Sequence, residues 1–266
     1  MQHILLPTDH SETSFKAARF AIDTFGVDDT RYTLVNAYLR PSFDHAFLPD
    51  MGPKADRDSM NGLRRMERKC RKYAGKMKLA KVSRSAQLVD VLNDLISQRQ
   101  ADLIVMGTQG EGNYGTVGRN ASAVVLGANA PVITVPSQRE PARIERILLA
   151  QDGEPIDPVA LAPLLTLAKR FDAEVIVMHV RREALDLAAP VDRKAIGAVL
   201  FGIRHTYVNV QGDEVAHAVD EMARGGRVQL VAILHRKRGF WSGLFHASTA
   251  KRMALHTALP VLVMRQ

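Results

Sequence analysis

His3-Ile-Leu-Leu-Pro-Thr-Asp9, near the start of the chain, returns as Arg146-Ile-Leu-Leu-Ala-Gln-Asp152. Each copy is a short apolar run ending at an aspartate, and reads as the first strand of its half. The echo continues through the chain. Glu174-Val-Ile-Val-Met-His-Val180 answers Tyr32-Thr-Leu-Val-Asn-Ala37, and Leu259-Pro-Val-Leu-Val-Met264 answers Ala130-Pro-Val-Ile-Thr-Val135. The repeat unit of about 140 residues is a whole domain, far longer than a solenoid unit. Two domains are expected, 1–137 and 143–266, with the polar, proline-bracketed stretch Pro136-Ser-Gln-Arg-Glu-Pro-Ala142 as linker.

Within the first half, strands alternate with helices. The strand His3–Pro7 precedes a helix with Phe15, Ala18, Ile22 and Phe25 on one face, followed by the strand Tyr32–Ala37. After a loop through Pro41, Pro49 and Pro53 come a basic helix, a short strand near Val82, and a helix through Leu88, Leu92 and Leu95. The strand Leu103–Met106, a glycine-rich loop, a helix and the strand Val132–Val135 complete the unit. Five strands separated by helices predict a parallel, doubly wound sheet, because right-handed crossovers place helices on both faces.

Val105-Met-Gly-Thr-Gln-Gly-Glu-Gly-Asn-Tyr-Gly-Thr-Val-Gly-Arg-Asn120 runs from an apolar strand through glycines into a helix. Backbone N–H groups without a neighbouring Cβ, next to a helix start, suit an anion, so this region reads as a nucleotide pocket. Gly110-Glu-Gly-Asn-Tyr-Gly115 matches G-x-G-x-x-G but follows the fourth strand, and the required acid is absent near Val135, so the dinucleotide reading fails. A Walker A lysine is missing as well.

The composition is that of a folded protein: 266 residues, 24% charged and 46% hydrophobic, with one cysteine, Cys70. A lone cysteine excludes an internal disulfide and a cysteine-rich zinc site. With no basic leader before the first strand and no long apolar run, the cytoplasm is expected, without membrane association. The net charge of +8 concentrates between Arg64 and Lys81, where nine Lys or Arg face only Glu67. Leu63, Met66, Cys70, Tyr73 and Met77 recur at helical spacing there, predicting an amphipathic helix whose basic residues are its wet face. A solvated surface takes precedence over an anionic partner; no aromatics interleave as in a single-strand platform, and nucleic acid is not expected.

Ile4-Leu-Leu-Pro-Thr-Asp9, the glycine loop after the fourth strand and the Ala-Pro-Val fifth strand, in part repeated in the second half, resemble the universal stress protein family over essentially the whole chain. The resemblance implies a tandem member with two flavodoxin-like α/β domains, each a five-stranded parallel sheet of order 3-2-1-4-5. It also implies ATP or AMP at the strands' carboxyl ends, with Mg accompanying ATP. Carried onto this sequence, the nucleotide-binding positions are Pro7, Thr8, Asp9, Ala37, Met106, Gly107, Gln109, Gly110, Gly118, Arg119 and Asn120. Asp9 matches the aspartate beside the adenosine, and Ala37 the backbone that meets the adenine. Asp9-His-Ser-Glu12 also reads as a helix capping box, which would direct Asp9 to the backbone. The family's signature, G-x2-G-x9-G-[ST], is altered: seven residues separate Gly110 from Gly118, and Arg119 replaces the hydroxyl residue. Arg119 offers either a forked cationic donor or an outward-turned side chain.

The second half has lost the loop. After Gln229-Leu-Val-Ala-Ile-Leu234 come His235, then Phe240, Trp241, Phe245 and His246, so this domain is expected to be degenerate for nucleotide, with a structural or partner-binding role. His235, His246 and His256 fit no common zinc spacing, and Ser11, Ser14 and Ser122 read as helix-start or surface residues rather than nucleophiles. The reading is a stress-response regulator that binds an adenine nucleotide in its first domain and hydrolyses it slowly if at all. Its alternative is a non-enzymatic interaction module with both pockets empty. The family also implies an intramolecular pseudo-dimer through the fifth strands, and further homodimerisation.

Overall fold

The computed structural model describes residues 2–39, 52–99, 101–108, 119–138, 143–151, 156–181, 193–211, 219, 221–222, 228–235 and 257–266. The chain divides into two compact units, Met1–Ser137 and Gln138–Gln266.

The first unit contains β1 (Gln2–Pro7), α1 (Glu12–Phe25), β2 (Thr30–Tyr38), α2 (Gly52–Ala74), β3 (Lys78–Ser85), α3 (Leu88–Arg99), β4 (Leu103–Gly107), α4 (Arg119–Gly127) and β5 (Val132–Val135). Its strands are all parallel, in the order β3-β2-β1-β4-β5. β1 is the central strand, flanked by β2 and β4. Ile4, Leu5, Ile104 and Val105 are essentially inaccessible, as continuous apolar runs require when both sheet faces are covered. α1 packs with α2, and α3 with α4, so the helices lie in two layers about the sheet.

The second unit comprises β6 (Arg146–Gln151), α5 (Ala162–Phe171), β7 (Glu174–Arg181), α6 (Arg193–Val199), β8 (His205–Gln211), β9 (Leu230–His235) and β10 (Val261–Arg265). Its parallel order is β8-β7-β6-β9-β10, the same 3-2-1-4-5 arrangement counted within the unit. Ile147–Leu149, Val231–Ile233 and Val261–Met264 form its core. Among the described residues, no helix is long and apolar enough to cross a membrane.

Three local expectations are corrected. The basic helix stops at Ala74, where Gly75 takes φ +67°, and Met77 is buried at the approach to β3 instead of on the helix stripe. Tyr73 is 42% exposed, its hydroxyl donating to Asp23 at 2.7 Å and its ring lying 4.7 Å from the Arg19 guanidinium. Leu63, Met66 and Cys70 do form the buried face. On α1, Phe15 is only half-buried beneath the Lys69 ammonium at 5.3 Å, while Ala17 and Ala21 let the helix approach the sheet closely.

At the amino end of β1, buried His3 binds the Arg31 guanidinium at 3.0 Å through Nδ1 and Thr33 Oγ1 at 2.9 Å through Nε2. Arginine can only donate, so Nδ1 accepts and the Nε2 proton goes to Thr33. His3 N–H donates to Asp102 Oδ2 at 2.7 Å, and Asp102 N–H returns a bond to the His3 carbonyl at 2.9 Å, clamping β1 to the start of β4.

Candidate functional site

β1 delivers Pro7, Thr8 and Asp9 to the carboxyl edge of the first sheet, and Thr8 organises the turn. Its N–H donates to the Val35 carbonyl at 2.8 Å and its carbonyl accepts from Asn36 Nδ2 at 2.7 Å. Thr8 Oγ1 accepts the His10 N–H at 2.9 Å and lies 2.8 Å from Ser14 Oγ. Every polar atom of Thr8 is therefore spent inside the protein.

His10 adopts φ +70°, a left-handed conformation uncommon outside glycine, and turns the chain into α1. The helix cap is Ser11: its Oγ accepts the Ser14 N–H at 3.1 Å. Asp9 is not the N-cap expected from the Asp9–Glu12 pattern. Instead Asp9 Oδ1 accepts from both Ser11 N–H, at 3.1 Å, and Ser11 Oγ, at 2.5 Å. The hydroxyl of Ser11 can donate to Asp9 while accepting from Ser14, so the carboxylate orients the cap from outside the helix. Asp9 remains exposed at the strand end. Ser14, expected at a helix start or surface, is buried, its Oγ donating to the Ser11 carbonyl at 2.9 Å.

β2 brings half-buried Ala37 to the same edge. Beside it Asn36, 8% exposed, links three elements: it donates to Thr8 and accepts from Ser59 Oγ of α2 at 2.6 Å, while Ser59 Oγ also meets Ser83 Oγ of β3 at 2.6 Å. An amide closing an apolar run is the sequence signal that would have marked Asn36; Ser59 carries no such signal.

β4 ends at Gly107, preceded by buried Met106 and followed by buried Thr108, whose N–H donates to the Val135 carbonyl at 3.2 Å. A Cβ at Gly107 would lie 3.0 Å from Thr13 Cγ2 and 3.3 Å from the Thr13 carbonyl oxygen. Gly107 thus lets the first turn of α1 close on β4, a packing role apart from any ligand. β1 and β4 pair through Ile4 with Leu103 and Leu5 with Ile104, and the order of connections reverses between these two strands. In an open parallel α/β sheet, the crevice outside this reversal is where ligands bind.

Pro7, Thr8, Asp9, Ala37, Met106 and Gly107 all come to the carboxyl ends of neighbouring strands. Arg119 and Asn120 are exposed in the first turn of α4, which starts at the end of the crossover from β4. Gln109, Gly110 and Gly118 lie outside the described residues. In the second unit, Gln151 ends β6 and half-buried His235 ends β9, while Asp152, Phe240, Trp241, Phe245, His246 and His256 are outside the described residues. No group of three His, Cys, Asp or Glu able to hold a metal occurs among the described residues.

The fold recurs in known proteins. The model of the universal stress protein family matches residues 1–136 and, a second time, 143–265. The chain belongs to the universal stress protein family. As a tandem universal stress protein it is 24% identical over 285 aligned positions to a universal stress protein of Mycolicibacterium smegmatis, covering 98% of this chain and 96% of the other. A universal stress protein of Mycobacterium bovis is 26% identical over 63% of each chain. Among solved structures, a universal stress protein from Archaeoglobus fulgidus superposes with a TM-score of 0.73 at 19% identity, over 99% of this chain and 98% of that one, a likeness of fold.

Proposed function

We propose that the first unit binds an adenine nucleotide, ATP or AMP, at the carboxyl edge between β1 and β4, and that the protein acts as a cytoplasmic stress-response regulator with little or no hydrolysis. The observation that carries this reading is the exposed Asp9 carboxylate, its Oδ1 held by Ser11 beside the crevice. A carboxylate fixed in orientation before binding is suited to accept ribose or adenine hydrogen bonds without ordering cost. The residues present fit a nucleotide: Asp9 and the Ala37 backbone would hold the adenosine, and Arg119 with the first N–H groups of α4 would meet phosphate. Mg would arrive with ATP, held chiefly by phosphate oxygens as is usual for this ion. No general base for water is assigned, so turnover is slow.

Arg119 and the shortened Gly110–Gly118 spacing favour a second reading, an interaction module whose pockets stay empty, with the second unit serving structure or partner contact. One experiment separates the two. The protein is purified without added nucleotide and denatured, and released small molecules are identified by anion-exchange chromatography and mass spectrometry, beside Asp9→Ala. About one adenine nucleotide per chain, lost in the variant, supports the first reading. No released nucleotide, and no rise in melting temperature with millimolar ATP, ADP or AMP with and without Mg, rejects it.

A further inference from the structure

The outward face of α2 is rich in cations. At about 100° per residue, Lys54, Arg57, Arg64, Arg65, Arg68 and Lys72 fall within roughly 100° of arc, and Leu63, Met66 and Cys70 lie on the opposite side against the sheet. From Lys54 to Lys72 the stripe runs about 27 Å at the helix rise. All six cations are exposed, and among the described residues none forms an ion pair. Of the nearby acids, Glu67 takes Arg71 and Lys81, Glu12 takes Lys69 and Asp56 takes the Tyr38 hydroxyl, while exposed Asp58, the i+4 neighbour of Lys54 at the edge of the arc, forms no ion pair among the described residues. Arg64 donates to Asn61 Oδ1 at 3.4 Å, and with Arg65, Glu67, Arg68 and Asn61 it borders an open concavity of about 550 Å³.

Six like charges on one helix face, with no ion pair among the described residues, repel one another, which folding alone does not require. Their chemistry selects among anionic partners. Four of the six are arginines, whose forked guanidinium suits phosphate oxygens. The apolar face of α2 is already consumed by the sheet, so the helix cannot insert into a bilayer. No aromatic side chain stands within the arc to stack on bases, which argues against single-stranded nucleic acid. We infer that the outer face of α2 is a docking surface for the phosphate backbone of duplex nucleic acid, read without base specificity. This surface lies on the helix exterior and is independent of the nucleotide reading.

The test is fluorescence anisotropy of the full chain with a labelled 20-base-pair duplex DNA between 50 and 200 mM salt. Four to six phosphate contacts predict that log K falls against log salt with a slope of about −4 to −5, at about −0.9 per contact. Arg64→Gln/Arg65→Gln/Arg68→Gln should reduce affinity at least tenfold and flatten the slope by about 3, with the melting temperature unchanged. Lys54→Gln/Arg57→Gln/Lys72→Gln, on the same arc, should do the same if the first set fails to fold. An unrelated duplex sequence should bind equally. Absence of binding at 50 mM salt, binding that neither triple variant alters, or equal binding to phosphatidylserine vesicles would each overturn the inference, the last in favour of a membrane surface.

Discussion

The imidazole of His10 rests directly on the α carbon of Gly62: a Cβ built at position 62 would come within 2.3 Å of the ring. α2 therefore packs against the turn that leaves β1, and the missing side chain at 62 is what admits the ring. Gly62→Ala should destabilise the protein by about 1–2 kcal/mol through overpacking, provided the ring cannot swing aside at lower cost. In a His10→Ala background the same substitution should stabilise by about 1 kcal/mol, because alanine is the better helix former. Urea denaturation of the four proteins in this cycle measures the sign reversal, and additive effects would show that the ring does not occupy this seat.

Ser11 and Asp9 should separate stability from ligand binding. Ser11→Ala removes the cap of α1 and should cost about 1 kcal/mol in chemical denaturation. Asp9→Ala leaves Ser11 Oγ on the Ser14 N–H, so its cost should be smaller, while nucleotide-induced thermal stabilisation should vanish. A larger loss of stability in Asp9→Ala than in Ser11→Ala would make Asp9 chiefly structural.

Glu67 ties α2 to β3. Its carboxyl is held below the ordinary value of 4.5 by its hydrogen bond to Lys81 first, then by Arg71, against the opposing effect of burial. Because the folded value is depressed, the contribution is complete above 4.5 and is lost as pH falls through the folded value. Glu67→Gln should therefore cost about 1 kcal/mol at pH 7 and converge with the parent protein in acid. Parallel stability curves from pH 7 to 3 would disprove this.

Cys70 is fully buried, and desolvation pushes its thiol up to about 11. The thiolate is the reactive form, so modification by a disulfide reagent at pH 8 should be slow in the folded protein and rapid after denaturation. Rapid folded-state labelling, measured by absorbance, would mean that α2 opens away from the sheet.

Much of the fold was legible because central parallel strands are buried on both faces and leave uninterrupted apolar runs. Ile4–Leu6 and Leu103–Met106 fall where periodicity and punctuation put them, and the recurrence of the Ile-Leu-Leu motif ending in Asp9 and again in Asp152 exposed the duplication. Edges were harder. Met77 keeps the helical spacing of Leu63, Met66 and Cys70, yet Gly75 breaks the helix first, since apolar spacing carries no information about which element buries a residue.

At the site, the sequence by itself placed Pro7, Thr8, Asp9, Ala37, Met106 and Gly107 at strand ends, because an apolar run that closes on a turn marks where a strand stops. Only the tertiary structure decided what those residues do there. Asp9 supports the cap and Ser11 forms it, Asn36 joins β1, α2 and β3, and Gly107 admits Thr13, because these hydrogen bonds and close approaches involve groups brought together by folding. The same distinction holds on α2. Its composition announced the charge, but which cations lack a carboxylate depends on the distances that folding sets between helices and strands.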